Sequence, residues 1–308
     1  MFYMKILVAT EKPFAPMAIK QMSEVAEAAG YQLALLECYG DASELIKAVE
    51  DADALIVRSD KVTTSVLDAA KQLKIVVRAG AGYDNLDLQA CTSHNVVAMN
   101  TPGQNANAVA ELVFELILYQ IRHGFSGRAG TELRGKTLGL HAFGNVGKYV
   151  SDIARGFGMD VYAYDPFVSE RIMKNNNAKQ CINVNEMYRK CQYISVHMPF
   201  NEITKASIGY DLLKQMPPNP VLVNTARKEL INEAELLKMF EERHDFSYLA
   251  DVSPDCKNIL EEKYKDRFIF TVKKMGAQTE EANLNAGVAA ARQVVSFFKT
   301  GNVKYKVN

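Results

Sequence analysis

The stretch TLGLHAFGNVGKYV, Thr137 to Val150, decides the fold. A strand pattern over Thr137–Phe143 runs into Ala142-x-Gly144-x-x-Gly147 and on into a helical pattern. Gly144 lets the backbone approach a pyrophosphate, and Gly147 lets the helix sit close to the strand. The phosphates then rest on the N–H groups at the positive helix end, around Asn145 and Val146. The first glycine of the usual motif is Ala142 here. The next strand pattern, Asp160–Asp165, ends in Tyr164-Asp165-Pro166, with Asp165 standing 18 residues beyond Gly147. A carboxylate at that place accepts bonds from the adenosine ribose hydroxyls and repels a 2′-phosphate, which favours NAD over NADP. The plain alternative is a glycine-rich turn with an incidental aspartate.

Working outward, short apolar runs alternate with amphipathic stretches on both sides. Strand patterns before the motif are Lys5–Thr10, Gln32–Glu37, Ala54–Arg58, Ile75–Arg78 and Val96–Met99. From the motif onward they are Thr137–Phe143, Asp160–Asp165, Tyr193–His197, Pro220–Thr225, Tyr248–Asp251 and Arg267–Val272, the six of a complete dinucleotide-binding sheet. Helical spacing follows Pro16 as far as Gly30, Thr63 or Thr64 caps a helix through Ala70, and a long apolar helix spans Asn105–Arg122. A last helix runs from an N-cap at Thr279 to Gly301. Such alternation means α/β domains with doubly wound parallel sheets covered on both faces.

Composition sets limits. The chain has 308 residues, 48% hydrophobic and 23% charged, a size suited to two folded domains. Lys+Arg and Asp+Glu are both 36, which argues against a general nucleic-acid or anionic-membrane binder. The segment Met1–Thr10 reads as a short strand without a signal-peptide core, and no apolar run is long enough to span a membrane. Five scattered cysteines without a CxxC pair read as free thiols in a reducing compartment, with no metal site. The expectation is a cytoplasmic globular protein.

Further segments carry a resemblance. They are Val57-Arg58-Ser59, Arg78-Ala79-Gly80-Ala81-Gly82-Tyr83-Asp84-Asn85, Asn100-Thr101-Pro102-Gly103, Val109-Ala110-Glu111-Leu112 and Gly135-Lys136-Thr137-Leu138-Gly139. After the motif come His197-Met198-Pro199, Asn224-Thr225-Ala226-Arg227, Ala250-Asp251-Val252 and Gly276-Ala277-Gln278-Thr279. In order and spacing the chain resembles the D-2-hydroxyacid dehydrogenase family, and within it the members acting on phosphoglycerate. The resemblance implies a Rossmann NAD-binding domain at 102–279, a flavodoxin-like substrate domain at 1–101 plus 280–308, and an active-site cleft between them. It also implies a homodimer. Only a dozen residues separate Arg122 from Gly135, where many relatives carry a longer subunit-embracing arm. Through Asn308 no C-terminal regulatory domain is expected.

The resemblance assigns roles residue by residue. Arg227 binds the substrate carboxylate and polarises the carbonyl that receives hydride, a task suited to a planar cation with paired donors. Ala79, Gly80, Ala81 and Gly82 form a second carboxylate cradle of backbone N–H groups. Arg58, with Ser59 or Lys61, holds a substrate phosphate, unless Arg58 is simply a strand-end charge. Asp251 bonds the nicotinamide carboxamide, while His197, Pro199 and Thr225 line the cofactor site. His94, His123, His141 and His244 show no partner pattern.

One departure bears on mechanism. The family's proton carrier is a histidine oriented by a glutamate, and this sequence has neither. Counting back from Gly276, the histidine position holds Lys274, with Lys273 the neighbour if the register slips. Five positions after Asp251, Cys256 stands beside Asp255 where the glutamate belongs. The paired change is chemically consistent. An imidazole starts at about 6.5 and gains from a carboxylate partner, whereas a lysine starts at about 10.4 and would be driven further from neutrality by one. Loss of the carboxylate, burial and proximity to Arg227 would all lower the amine.

The expectation is therefore an NAD-dependent oxidoreductase interconverting 3-phospho-D-glycerate and 3-phosphooxypyruvate, the first step of serine biosynthesis, with Arg227 as clamp and Lys274 as general acid/base. Two rivals remain: a reductase for an unphosphorylated 2-keto acid (glyoxylate, hydroxypyruvate or D-lactate type), and a non-catalytic NAD(H)-binding sensor.

Overall fold

The computed structural model describes residues 4–308; of the strand-like start, Met1–Tyr3 lie outside the described residues. The chain divides into two compact units, one of residues up to Asn105 together with Gln278–Asn308, the other of Ala106–Ala277.

The first unit holds five parallel strands, β1 (Lys5–Thr10), β2 (Gln32–Glu37), β3 (Ala54–Val57), β4 (Ile75–Arg78) and β5 (Val97–Asn100), in the order β2-β1-β3-β4-β5. Alternate residues of β1 feed opposite faces: Leu7 and Ala9 join one buried cluster with Leu55, Val57 and Val76, while Ile6 and Val8 join another with Ile56, Ile75 and Val77. That two-sided burial is why these strands read as continuous apolar runs. At ~1.5–3 kcal/mol per buried aliphatic side chain, the two layers dominate the unit's stability. The helix Glu280–Thr300 returns to this unit and buries Ala286, Val288, Ala290, Ala291 and Val294. Thr279 caps it, its Oγ1 accepting from Ala282 N. The expected cap at Thr63 is different: Thr63 stands at the N-cap of Thr64–Ala69 but makes no side-chain cap bond.

The second unit holds β6 (Thr137–His141), β7 (Asp160–Tyr164), β8 (Lys179–Gln180), β9 (Tyr193–Val196), β10 (Val221–Asn224), β11 (Ser247–Ala250) and β12 (Phe268–Phe270). All pairings are parallel, in the order β12-β11-β10-β9-β6-β7-β8. Seven strands replace the six expected. The extra one, β8, is two exposed polar residues, so no apolar run announces it. The long helix Ala106–Ile121 packs Val113, Phe114, Ile117 and Ile121 into the cluster that takes Leu138, Leu140 and Val223 from the sheet.

Both orders reverse direction once, between β1 and β3 in the first unit and between β6 and β9 in the second. Ligands of such sheets bind beyond the carboxyl ends of the strands at those reversals. Among the described residues no helix is long and apolar enough to cross a membrane.

Candidate active site

At the reversal of the second sheet, β6 ends at His141 and the chain turns through Ala142 to Gly144, the N-cap of the helix Asn145–Gly156. Ala142 stands at φ 79°, a left-handed conformation costly for any residue with a Cβ. A Cβ on Gly147 would fall 2.9 Å from Ala142 O, so only glycine lets the helix start this close to the strand. Before Gly144 the space is open. The amides of Asn145, Val146 and Gly147 lack acceptors within the helix and are available to an anion. Asp165, just past β7, accepts from Phe143 N and from Phe167 N, both at 2.8 Å, so its carboxylate is fixed against the turn.

On the other flank, His197 Nε2 meets Ser195 Oγ at 2.9 Å, and His141 Nδ1 meets Tyr188 Oη at 3.3 Å. Burial, then the neighbouring His141 charge, lowers His197 to about 3, and burial lowers His141 to about 4. Both imidazoles are neutral and suit lining rather than proton transfer. Pro199 is exposed beyond them. Thr225 Oγ1 is buried with no hydrogen-bond partner. An open helix N-terminus, a fixed acid after the second strand and an orphaned hydroxyl together fit a dinucleotide.

Arg227 and Lys274 meet at one atom. Arg227 Nη1 donates to Ala226 O at 3.0 Å, and Lys274 Nζ donates to the same oxygen at 3.3 Å. That oxygen is held by its own turn: Asn224 Oδ1 accepts from Ala226 N at 3.0 Å, while Asn224 Nδ2 donates to Arg227 O at 2.8 Å. Lys274 reaches it from the loop after β12, and Asp251 pins that loop. Its Oδ1 accepts from Thr271 Oγ1 at 3.0 Å and Met275 N at 2.6 Å, and its Oδ2 from Gly276 N at 2.8 Å. Asp251 is only 1% exposed. The residue matched to a cofactor contact thus also grips both ends of the loop that presents Lys274.

One expectation about the lysine is corrected. The amine is not buried, because β12 is a half-buried edge strand and Lys274 is exposed on the loop leaving it. The two residues at the missing glutamate's place are engaged with other partners. Asp255 pairs with Lys228 at 2.5 Å, and burial followed by Glu233 pushes the Cys256 thiol up to about 12. Glu233 accepts from the Asp255 and Cys256 amides, both at 2.8 Å, and so shapes that turn.

In the first unit the expected cradle is narrower. Ala79 N donates to Val57 O and Gly80 N to Arg78 O, which leaves Ala81 and Gly82 as its remaining donors. The Arg78 guanidinium occupies the space a Cβ on Gly80 would need, so the glycine there admits an arginine that the sequence reading did not single out. Arg78 Nε donates to Arg58 O at 3.0 Å. Arg58 is no free strand-end charge. Its Nη1 donates to Lys12 O at 2.9 Å and Pro13 O at 3.0 Å, its Nη2 to Asn283 Oδ1 at 2.5 Å, and it lies over the Phe14 ring. Ser59 and Lys61 are exposed. Asp60, also missed, is the buried hub: it accepts from Glu11 N, Tyr39 Oη and Arg58 N. Its signal was a carboxylate at the end of an apolar strand, where burial demands partners.

Comparison with known proteins agrees with this geometry. A model of the D-isomer specific 2-hydroxyacid dehydrogenase catalytic domain matches residues 7–308. The D-3-phosphoglycerate dehydrogenase of Methanocaldococcus jannaschii is 33% identical over 271 residues, 82% of this chain and 51% of that one. The hydroxypyruvate reductase of Thermotoga maritima is 32% identical over 268 residues, 82% of this chain and 86% of that one. The chain thus spans about half the length of the curated phosphoglycerate dehydrogenases it matches. The crystal structure of NAD+-bound 3-phosphoglycerate dehydrogenase from Entamoeba histolytica superposes with a TM-score of 0.90 at 45% identity, covering 100% of this chain and 99% of that one. With a glycine turn fixed to an acid in one unit, an arginine loop at the sheet end of the other and a family model matching nearly end to end, the chain belongs to the D-isomer specific 2-hydroxyacid dehydrogenases.

Proposed function

We propose that the protein is an NAD-dependent dehydrogenase interconverting 3-phospho-D-glycerate and 3-phosphooxypyruvate, at the head of serine synthesis. The observation that carries this reading is the shared Ala226 carbonyl, which brings a carboxylate-gripping guanidinium and a proton-bearing amine to one point. The Entamoeba relative supports the choice of substrate.

On this reading the helix N-terminus at Asn145–Gly147 takes the pyrophosphate, Asp165 the adenosine ribose, and Thr225 Oγ1 gains a partner. A bound nicotinamide supplies the hydride. Arg227 grips the carboxylate and stabilises the charge that develops on the ketone oxygen. Lys274 Nζ gives that oxygen its proton and takes it back in the oxidative direction. Asp251 keeps the lysine loop in register. Arg58 and Arg78 act on the phosphate, with Asp60 setting the backbone from which Arg58 extends.

The test is NADH consumption with 3-phosphooxypyruvate, glyoxylate and hydroxypyruvate across a pH series. Rapid turnover only of the phosphorylated acid supports the proposal. A second reading, an unphosphorylated 2-keto acid as substrate, is favoured by the near-full-length match to hydroxypyruvate reductase and by the engagement of Arg58 with its own unit. Arg58→Ala separates them: it raises KM for a phosphorylated substrate and leaves an unphosphorylated one nearly unchanged. No turnover at any pH, with NADH still bound, would make the protein a sensor.

A further inference from the structure

A cavity of about 400 Å³ opens on the first unit, away from the residues assigned above. It forms where the helix Glu280–Thr300, the helix Pro16–Glu27, the segment after β5 and the tail at Asn302–Tyr305 come together. The volume falls within the range of small-molecule sites. Its wall carries two cations, Arg292 and Lys304, together with the amides of Gln21, Gln104 and Asn285, and among the described residues no acidic one lines it. Neither cation forms an ion pair among the described residues. Two cations on the wall of one cavity, with no ion-pair partner among the described residues, favour an anion, and amides match hydroxyl groups as donors and acceptors.

A second observation ties this cavity to the substrate loop. Gln293, on its wall, donates through Nε2 to Asn100 O at 3.0 Å. Asn100 Nδ2 in turn donates to Ala81 O at 2.6 Å, and Thr101 N donates to Gly80 O at 2.9 Å. Along this path two polar atoms, Gln293 Oε1 and Thr101 Oγ1, are buried without a partner. Buried polar atoms left unpaired are unfavourable, so an arrangement that satisfies them competes with the one described.

We infer that this cavity is an effector site for a small sugar phosphate, its phosphate between Arg292 and Lys304 and its hydroxyls on the amides. Occupancy moves Gln293 and, through Asn100, resets the loop at Gly80 and Ala81. The coupling is reciprocal, so a ligand held by that loop alters affinity at the cavity equally. Binding at the cavity is independent of the proposed reaction, and only its effect on kinetics rests on that reading.

The test is calorimetry on the full chain with glucose 6-phosphate and, separately, inorganic phosphate. Glucose 6-phosphate carries no carboxylate for Arg227. One site is expected, retained in Arg58→Ala and weakened about tenfold or more, ~1.4 kcal/mol, in Arg292→Glu with Lys304→Glu. The double variant should keep basal turnover and thermal stability. Gln293→Ala should still bind glucose 6-phosphate but lose its effect on KM for 3-phosphooxypyruvate. Absence of binding, or binding retained in the double variant and lost in Arg58→Ala, overturns the site whether or not turnover is found. Inorganic phosphate binding as tightly as the sugar phosphate overturns the ligand class. Binding with no change in KM, in an enzyme that turns over, overturns the coupling.

Discussion

The loop after β6 and the loop after β12 leave the same end of one sheet but are held in different ways. The first is fixed locally, by the helix Asn145–Gly156 starting against Ala142 O and by the Asp165 carboxylate on Phe143 N. The second departs from a half-buried edge strand and is fixed from a distance, by Asp251 accepting from Thr271, Met275 and Gly276. A turn built from backbone approach writes itself into the sequence as small residues at set spacing. A loop pinned by one buried carboxylate leaves no such trace. The difference also divides labour: the rigid turn suits a cofactor's phosphates, and the tethered loop places a long flexible amine beside Arg227.

Changes on the two sides should separate accordingly. The largest effect is expected from Arg227→Ala, which removes the guanidinium while leaving the β6 turn intact. Its kcat/KM for 3-phosphooxypyruvate should fall on the order of a hundred- to a thousandfold, with NADH affinity by fluorescence titration nearly unchanged. Next comes Asp251→Asn, which places an amide where backbone N–H groups need an acceptor. Turnover should fall roughly ten- to a hundredfold as the lysine loses register, and amide exchange should quicken at 271–276 but not at 142–147. Equal quickening in both loops would erase the distinction.

Smaller effects test the β6 side alone. His141 and His197 are neutral in the folded protein, whereas an unfolded chain binds protons at both below about pH 6.5. Their contribution is therefore complete above that pH and is lost as pH falls toward the folded values of about 4 and about 3. For His141, which is 7% exposed, the slope is at most about 1.4 kcal/mol per pH unit. His141→Phe should accordingly flatten the fall in Tm between pH 6.5 and 5. The smallest effect is Ala142→Gly. Relief of the left-handed alanine, partly offset by glycine's greater unfolded-state entropy, should leave a gain of about 1 kcal/mol or less, seen as a Tm rise with NADH affinity retained.

These contrasts mark what the sequence could say. Both sheets were legible because their strands are apolar on two faces, and Thr137–Val150 was legible because glycine spacing reports backbone approach. β8 was not, since Lys179 and Gln180 bury nothing. Arg227 and Lys274 were named through the family resemblance of the segments around them, but their meeting at Ala226 O depends on Asn224 folding its turn from both sides. The cradle at Ala79–Gly82 was overdrawn, because spacing does not tell which amides already have carbonyl partners. The anchoring of Arg58 was illegible for a related reason: its acceptors, Lys12, Pro13 and Asn283, lie far along the chain. Burial of Lys274 was inferred from chemistry alone, and the loop after β12 leaves the residue exposed.

The central claim is that a lysine carries the proton, and its most direct test is turnover of 3-phosphooxypyruvate by Lys274→Ala beside Lys273→Ala. The account predicts a loss of kcat of about a hundredfold or more in the first, partly restored by added ethylamine, with NADH affinity kept and Lys273→Ala close to wild type. Wild-type kcat in Lys274→Ala, or the reverse ranking of the two variants, would contradict it.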